Sequence, residues 1–141
     1  MQADAIHILG ASGSGVTTLG QSIEQRYGHK WLDTDDYFWL LTQPPYMTPR
    51  PLEKRISLLE ASIAENPKCV ISGSLCGWGD VFIPKFQLVI FIYTPAEIRK
   101  ERLINRDFKR YGKTRVLEGD RREEHVKFIN WAMDYDKGDM N

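Results

Sequence analysis

Ile8-Leu9-Gly10-Ala11-Ser12-Gly13-Ser14-Gly15-Val16-Thr17-Thr18-Leu19-Gly20 is the stretch that decides how this chain folds. A short apolar run (Ala5, Ile6, Ile8, Leu9) enters it, and an amphipathic helix leaves it, with Leu19, Ile23 and Tyr27 four residues apart and Gly28 as the stop. Gly10 and Gly15 keep the spacing of the phosphate-binding loop G-x-x-x-x-G-K-[ST], and Thr17 stands at its hydroxyl position. Glycine is needed in such a loop because the backbone takes angles that side chains forbid and lets anion oxygens come close. The helix that follows offers unpaired N–H groups and the positive end of its dipole. One position departs from the pattern: Val16 occupies the lysine's place and carries neither charge nor donor. Ser12, Gly13, Ser14, Gly15, Val16, Thr17 and Thr18 are the expected phosphate-binding positions, with Gly10 opening the loop and Thr17 Oγ as a Mg²⁺ ligand. The plain alternative for Thr17 is capping of the helix.

Working outward, Lys30-Trp31-Leu32-Asp33 reads as a second strand ending in three carboxylates, Asp33, Asp35 and Asp36. Asp33 and Asp35, two apart, share a face if the chain stays extended. Pro44, Pro45, Pro49 and Pro51 then punctuate a stiff loop and argue against regular structure in it. Pro51 opens a helix with the stripe Leu52, Ile56, Leu59 and Ile63, which Asn66-Pro67 ends. Cys69 to Gly73 reads as a buried central strand, followed by a second Gly-bearing loop, Ser74 to Asp80. Gln87 to Tyr93 is a further strand; Thr94-Pro95 caps a helix running to about Tyr111, and a last helix covers Glu123 to about Asp136.

Strands alternating with helices imply βαβ units, hence a three-layer α/β fold with a parallel sheet of four strands and helices on both faces. Ligands then collect beyond the carboxyl ends of the strands, where the loops after strands one, two and three converge. The length of 141 residues suits one domain, 1–141. Lysine plus arginine equals aspartate plus glutamate, at 19 each, which argues against broad attraction to nucleic acid or to a membrane surface. Cys69 and Cys76 fit no zinc or redox spacing. With no apolar run near the ~20 residues needed to span a bilayer, the expected location is cytoplasmic.

The ordered set Gly10-Ala-Ser-Gly-Ser-Gly15-x-Thr17-Thr18, Leu32-Asp33-Thr34-Asp35-Asp36, Arg50, Ser72-Gly73-Ser74-Leu75-Cys76-Gly77-Trp78-Gly79-Asp80 and the arginines Arg99, Arg102 and Arg106 resembles the P-loop kinases of the adenylate kinase and shikimate kinase group. More closely, it is similar to bacterial adenylate kinase-like, or topology-modulation-like, proteins. The resemblance implies ATP as donor, Mg²⁺, a lid at about 106–122, an acceptor-binding insert at 36–66, and transfer of phosphoryl to a nucleoside monophosphate or a small hydroxylated metabolite. It assigns Asp33 to Mg²⁺ or its water, and Asp35 to the acceptor, as base. Arg50, Ser74, Gly77 and Asp80 join Asp33 and Asp35 as acceptor contacts. Arg102 and Arg106, four apart on one helical face, are expected to neutralise charge on the transferring group. Kinases of this group end in a further strand, whereas no apolar run follows Asp136 here, so the expectation is a fifth strand missing through truncation. The competing reading is a nucleotide-binding sensor with little catalysis, which Val16 favours.

Overall fold

A computed structural model describes residues 2–137. Residues 138–141, on which part of the expectation of an early stop rests, lie outside the described residues. The chain forms two compact units: one takes the chain up to Gly10 and again from Gly15 to Ile92, the other takes Ala11–Ser14 and the chain from Tyr93 onward.

The first unit is built on β1 (Ala5–Gly10), β2 (Lys30–Asp33), β3 (Cys69–Ser72) and β4 (Leu88–Ile92), in the order β2-β3-β1-β4 with every pairing parallel. This is the expected four-stranded parallel sheet. Side chains alternate across it, as the two-residue period of a strand requires. Ile6, Ile8 and Val70 meet Ile23 and Leu19 of α1 (Val16–Tyr27) on one face. Cys69 and Ile71 meet Leu59 and Ile63 of α3 (Leu52–Glu65) on the other. The two helices therefore cover opposite faces. Gly20 in α1 lets the indole of Trp31 lie against the helix, since a Cβ there would fall 2.6 Å from the ring. Gly28 ends α1 in the left-handed conformation, as read from the sequence.

Two local readings change. The chain does not stay extended after Asp33: α2 (Thr34–Phe38) begins at once, so Asp33 and Asp35 do not share a strand face. The proline-rich loop also contains regular pairing. Trp39 and Pro49 form an antiparallel bridge, flanked by Leu40 N–H to the Thr48 carbonyl (2.9 Å) and Arg50 N–H to the Phe38 carbonyl (2.7 Å). Prolines tolerate this because each sits where no ladder N–H is required. A 3₁₀ helix at Asp80–Lys85, not foreseen, seats Phe82 in the α3-side core.

The second unit contains α4 (Ala96–Tyr111), α5 (Lys113–Leu117) and α6 (Arg122–Met133), with Leu103, Ile129 and Ala132 at its centre. Its keystone is Arg99, fully buried on α4. Arg99 Nε donates to the Thr94 carbonyl (2.9 Å), Nη1 to the Ala132 carbonyl (3.1 Å) and Nη2 to the Asp136 carboxylate (2.9 Å). A buried guanidinium so fully partnered is tolerable where an unpaired one is not. His125 on α6 reaches Asp107 on α4 at 2.6 Å, a second tie between these helices.

Candidate functional site at the carboxyl edge of the sheet

Parallel register puts the ends of β1, β2 and β3 on one edge: Asp33 lies beside Ser72, and Ser72 beside Ile8, two residues before Gly10. At this edge the first unit carries Gly10, Gly15, Val16, Thr17, Thr18, Asp33, Asp35 and the turn from Gly73 to Asp80. Gly15 has φ 107° and caps α1 without a side-chain hydrogen bond. Only glycine takes that angle without strain. Thr17 and Thr18 are exposed in the first turn. Val16 is half-buried and packs against the cluster of Ile6, Ile8, Ile23 and Val70, so the position of the motif's lysine borders the core in this chain.

Asp33 is the N-cap of α2. Its Oδ1 accepts the Asp35 N–H at 3.0 Å, which leaves a carboxylate fixed in direction at the strand end. Asp35 is exposed in the first turn of α2. Ser74 Oγ accepts the Cys76 N–H at 3.2 Å, Gly77 turns with φ 76°, and Asp80 opens the 3₁₀ helix. Trp78 is 5% exposed and packs near Phe38, so it closes the core rather than offering a face to a base.

Arg50 is placed as a strap. Its Nε donates to the Tyr37 carbonyl (3.0 Å) and Nη2 to the Trp39 carbonyl (3.2 Å), which ties the 39–50 loop to α2. Arg55 donates to the Arg50 carbonyl at 2.6 Å and lies 4.0 Å over the Phe38 ring.

In the second unit the loop segment Ala11–Ser14 meets α4. Gly13 has φ 81°, and a Cβ there would lie 3.0 Å from the Arg99 carbonyl oxygen and 3.1 Å from Leu103. Ser14 N–H turns inward to the Ala11 carbonyl at 3.0 Å. Ser14 Oγ is buried and has no hydrogen-bond partner among the described residues. Arg102 sits behind the loop, with Nη1 3.1 Å from the Gly13 carbonyl oxygen and 3.5 Å from that of Ser14. Arg106 lies 5.2 Å over the Phe128 ring, with Nε 3.8 Å from Asp107. The 106–122 stretch is mostly helical and includes the bidentate pair of Arg115 with Asp120.

Sequence reasoning missed three contributors. Gly73 turns at φ 115° directly against Thr34, whose Oγ1 would be 2.0 Å from a Cβ. His7, buried in β1, stacks on Phe86 and bonds the Gly73 carbonyl at 2.8 Å. Because that partner is an acceptor, Nε2 carries the proton. Burial pushes the imidazole pKa below its usual value, and the carbonyl bond only partly opposes this. Thr94 does not cap α4; Pro95 does, while Thr94 Oγ1 donates to the Ser14 carbonyl at 3.0 Å. A Thr-Pro pair before a helix signals a cap equally well, so nothing in the sequence marks that difference.

The residues fit a bound polyphosphate: two left-handed glycines, a helix N-terminus and an orphan buried hydroxyl stand in one loop. Among the described residues no cluster of three His, Cys, Asp or Glu side chains is placed to hold a metal. No helix among the described residues is long and apolar enough to cross a membrane.

No protein-family model matches the chain. The fold is similar to shikimate kinase from Bacteroides thetaiotaomicron (TM-score 0.57, 22% identity, 94% of this chain and 79% of that one). It is also similar to shikimate kinase from Acinetobacter baumannii in complex with shikimate (TM-score 0.53, 16% identity, 91% and 74%). These likenesses establish a P-loop kinase-like fold. In sequence the chain is 27% identical over 144 residues to a cytidylate kinase of Archaeoglobus fulgidus, covering 92% of this chain and 78% of that protein. With the uncharacterized protein YqaC of Bacillus subtilis it shares 43% identity over 135 residues, 96% of this chain and 74% of that protein. A likeness of that depth over nearly the whole chain is one of descent, and the chain belongs to the YqaC family.

Proposed function

We propose that the chain transfers the terminal phosphoryl of ATP to a nucleoside monophosphate or a small hydroxylated metabolite. The observation that carries this reading is the loop itself: Gly13 and Gly15, both left-handed, lead into α1 at the carboxyl edge of a parallel sheet. Backbone N–H groups between Ser12 and Thr17 hold the donor's phosphates, except that of Ser14, which the Ala11 carbonyl takes. Thr17 Oγ and the fixed carboxylate of Asp33 would hold Mg²⁺, which when bound neutralises charge between donor and acceptor. Asp35, exposed on α2, takes the acceptor's proton. Ser74, Gly77 and Asp80 contact the acceptor, and Arg50 shapes the loop over it. In such transfers a protein chiefly positions reactants and stabilises charge, and this inventory supplies those functions.

A nucleotide acceptor is favoured over a sugar-like one by the likeness to a cytidylate kinase. The second reading, a nucleotide sensor with little turnover, is favoured by one observation: Val16 is half-buried against the core cluster and supplies no charge to the loop. The Asp35→Asn variant tests the chemistry. It abolishes phosphoryl transfer while ATP affinity, measured by calorimetry, stays near wild type. An unaltered transfer rate removes Asp35 from the mechanism.

A further inference from the structure

We propose that Thr94 and Arg102 are positioning residues: they grip the Ser14 carbonyl from behind the loop and so aim the Gly15 N–H at the phosphate. The proposal rests on the phosphate-site reading of the loop and assigns Arg102 a job other than touching the transferred group.

The backbone of this loop is soft. The Ser14–Gly15 peptide lies between a Gly-Ser pair and a second glycine. Glycine populates both signs of φ, so such a peptide rotates at little cost. One orientation points an N–H at the ligand, and the flipped one points a carbonyl oxygen, which repels an anion. Something must select between them. In a planar trans peptide the C=O and the N–H point in opposite directions, so holding the oxygen fixes the hydrogen. Thr94 Oγ1 donates to the Ser14 oxygen at 3.0 Å, and Arg102 Nη1 stands 3.5 Å from that oxygen and 3.1 Å from the Gly13 oxygen.

The gripping groups are themselves fixed. The Thr94 carbonyl is held at 2.9 Å by the fully buried Arg99, whose other nitrogens reach the Ala132 carbonyl and Asp136. Gly13 is pressed so closely on α4 that a methyl group would meet the Arg99 carbonyl oxygen at 3.0 Å. The neighbouring Gly13–Ser14 peptide is pinned at both ends, its oxygen by Arg102 and its N–H by the Ala11 carbonyl. Across the same planar peptide, the Gly15 N–H points away from the Ser14 oxygen that these groups hold. A loop without the motif's lysine depends more heavily on its backbone donors, so the bracing matters more here than where a lysine is present.

Binding of inorganic pyrophosphate and of Mg-ADP to the full chain, measured by calorimetry at several salt concentrations, tests this. Thr94→Val keeps the shape and the charge but removes the donor, and is expected to weaken both ligands about threefold to tenfold, the size of one hydrogen bond. Thr94→Ser restores the donor and with it the affinity, a rescue that a merely structural role for the Thr94 methyl group would not give. Arg102→Lys retains most of the affinity, because an ammonium also donates to carbonyls. The salt dependence stays that of wild type in Thr94→Val, since no phosphate contact has been lost. Wild-type affinity in Thr94→Val overturns the proposal. Should the wild-type chain bind neither ligand, the phosphate-site reading fails, and the positioning claim is then decided by the Gly15 amide resonance. It shifts and broadens in Thr94→Val but not in Thr94→Ser if the peptide is held as described, and an unmoved resonance overturns the claim.

Discussion

At Gly73 the backbone turns through φ 115° with the Thr34 hydroxyl hard against it. Gly73→Ala therefore combines a forbidden angle with a collision, and is expected to destabilise the chain by about 1–3 kcal/mol. Urea denaturation reads this directly; a loss below a few tenths of a kcal/mol would mean that Thr34 moves away freely. The Gly73 carbonyl also receives the proton of His7. Because burial lowers the His7 pKa in the folded chain, the unfolded chain binds more protons once the pH drops below the usual imidazole value. Stability is then highest above about pH 6.5 and falls as the pH drops from there toward the folded-state pKa, by at most about 1.4 kcal/mol per pH unit for one site. Denaturation midpoints between about pH 7.5 and 5.5 should show this slope, and His7→Gln should flatten it. An equal slope in the variant would assign the effect to other groups.

Among the elements, α2 and α1 each join structure to chemistry through one residue. Asp33 caps α2, so Asp33→Ala loses about 1 kcal/mol of stability along with any metal contact. Asp33→Asn separates the two roles: asparagine caps as well as aspartate, so stability holds while phosphoryl transfer falls. Equal activity in Asp33→Asn would confine the residue to capping. On α1, Val16 packs half-buried against the core cluster, and a lysine there can run its methylenes over the same surface and lift its ammonium to the loop. Val16→Lys is expected to raise turnover, toward the ~10²–10³-fold that one preorganised donor is worth, at a modest loss of stability. Turnover that stays negligible while nucleotide binds tightly would favour the sensor. These elements were legible because their signals are local: an apolar run, a Gly-Ser loop, a four-residue stripe and Gly28. What was not legible depends on partners distant in sequence. No local pattern marks Thr94 as a ligand of Ser14, 80 residues away, or Arg102 as a brace behind Gly13. The extended reading of Asp33 and Asp35 failed because capping started a helix one residue later.

For the molecule as a whole, the order β2-β3-β1-β4 explains why one edge gathers the loop glycines, Asp33 and the Gly73–Asp80 turn: parallel strands place every carboxyl end on the same side. That arrangement followed from the alternation of strands and helices. The identity of the acceptor did not follow, because it resides in side-chain geometry that the alternation does not encode. If phosphoryl transfer occurs at this edge, label moves from γ-labelled ATP in the presence of Mg²⁺ to one of a set of nucleoside monophosphates and hydroxylated metabolites. The expected result is a labelled product, formed slowly because Val16 replaces the lysine and lost in Asp35→Asn. Tight nucleotide binding with no labelled product from any acceptor would contradict it and make the chain a nucleotide sensor.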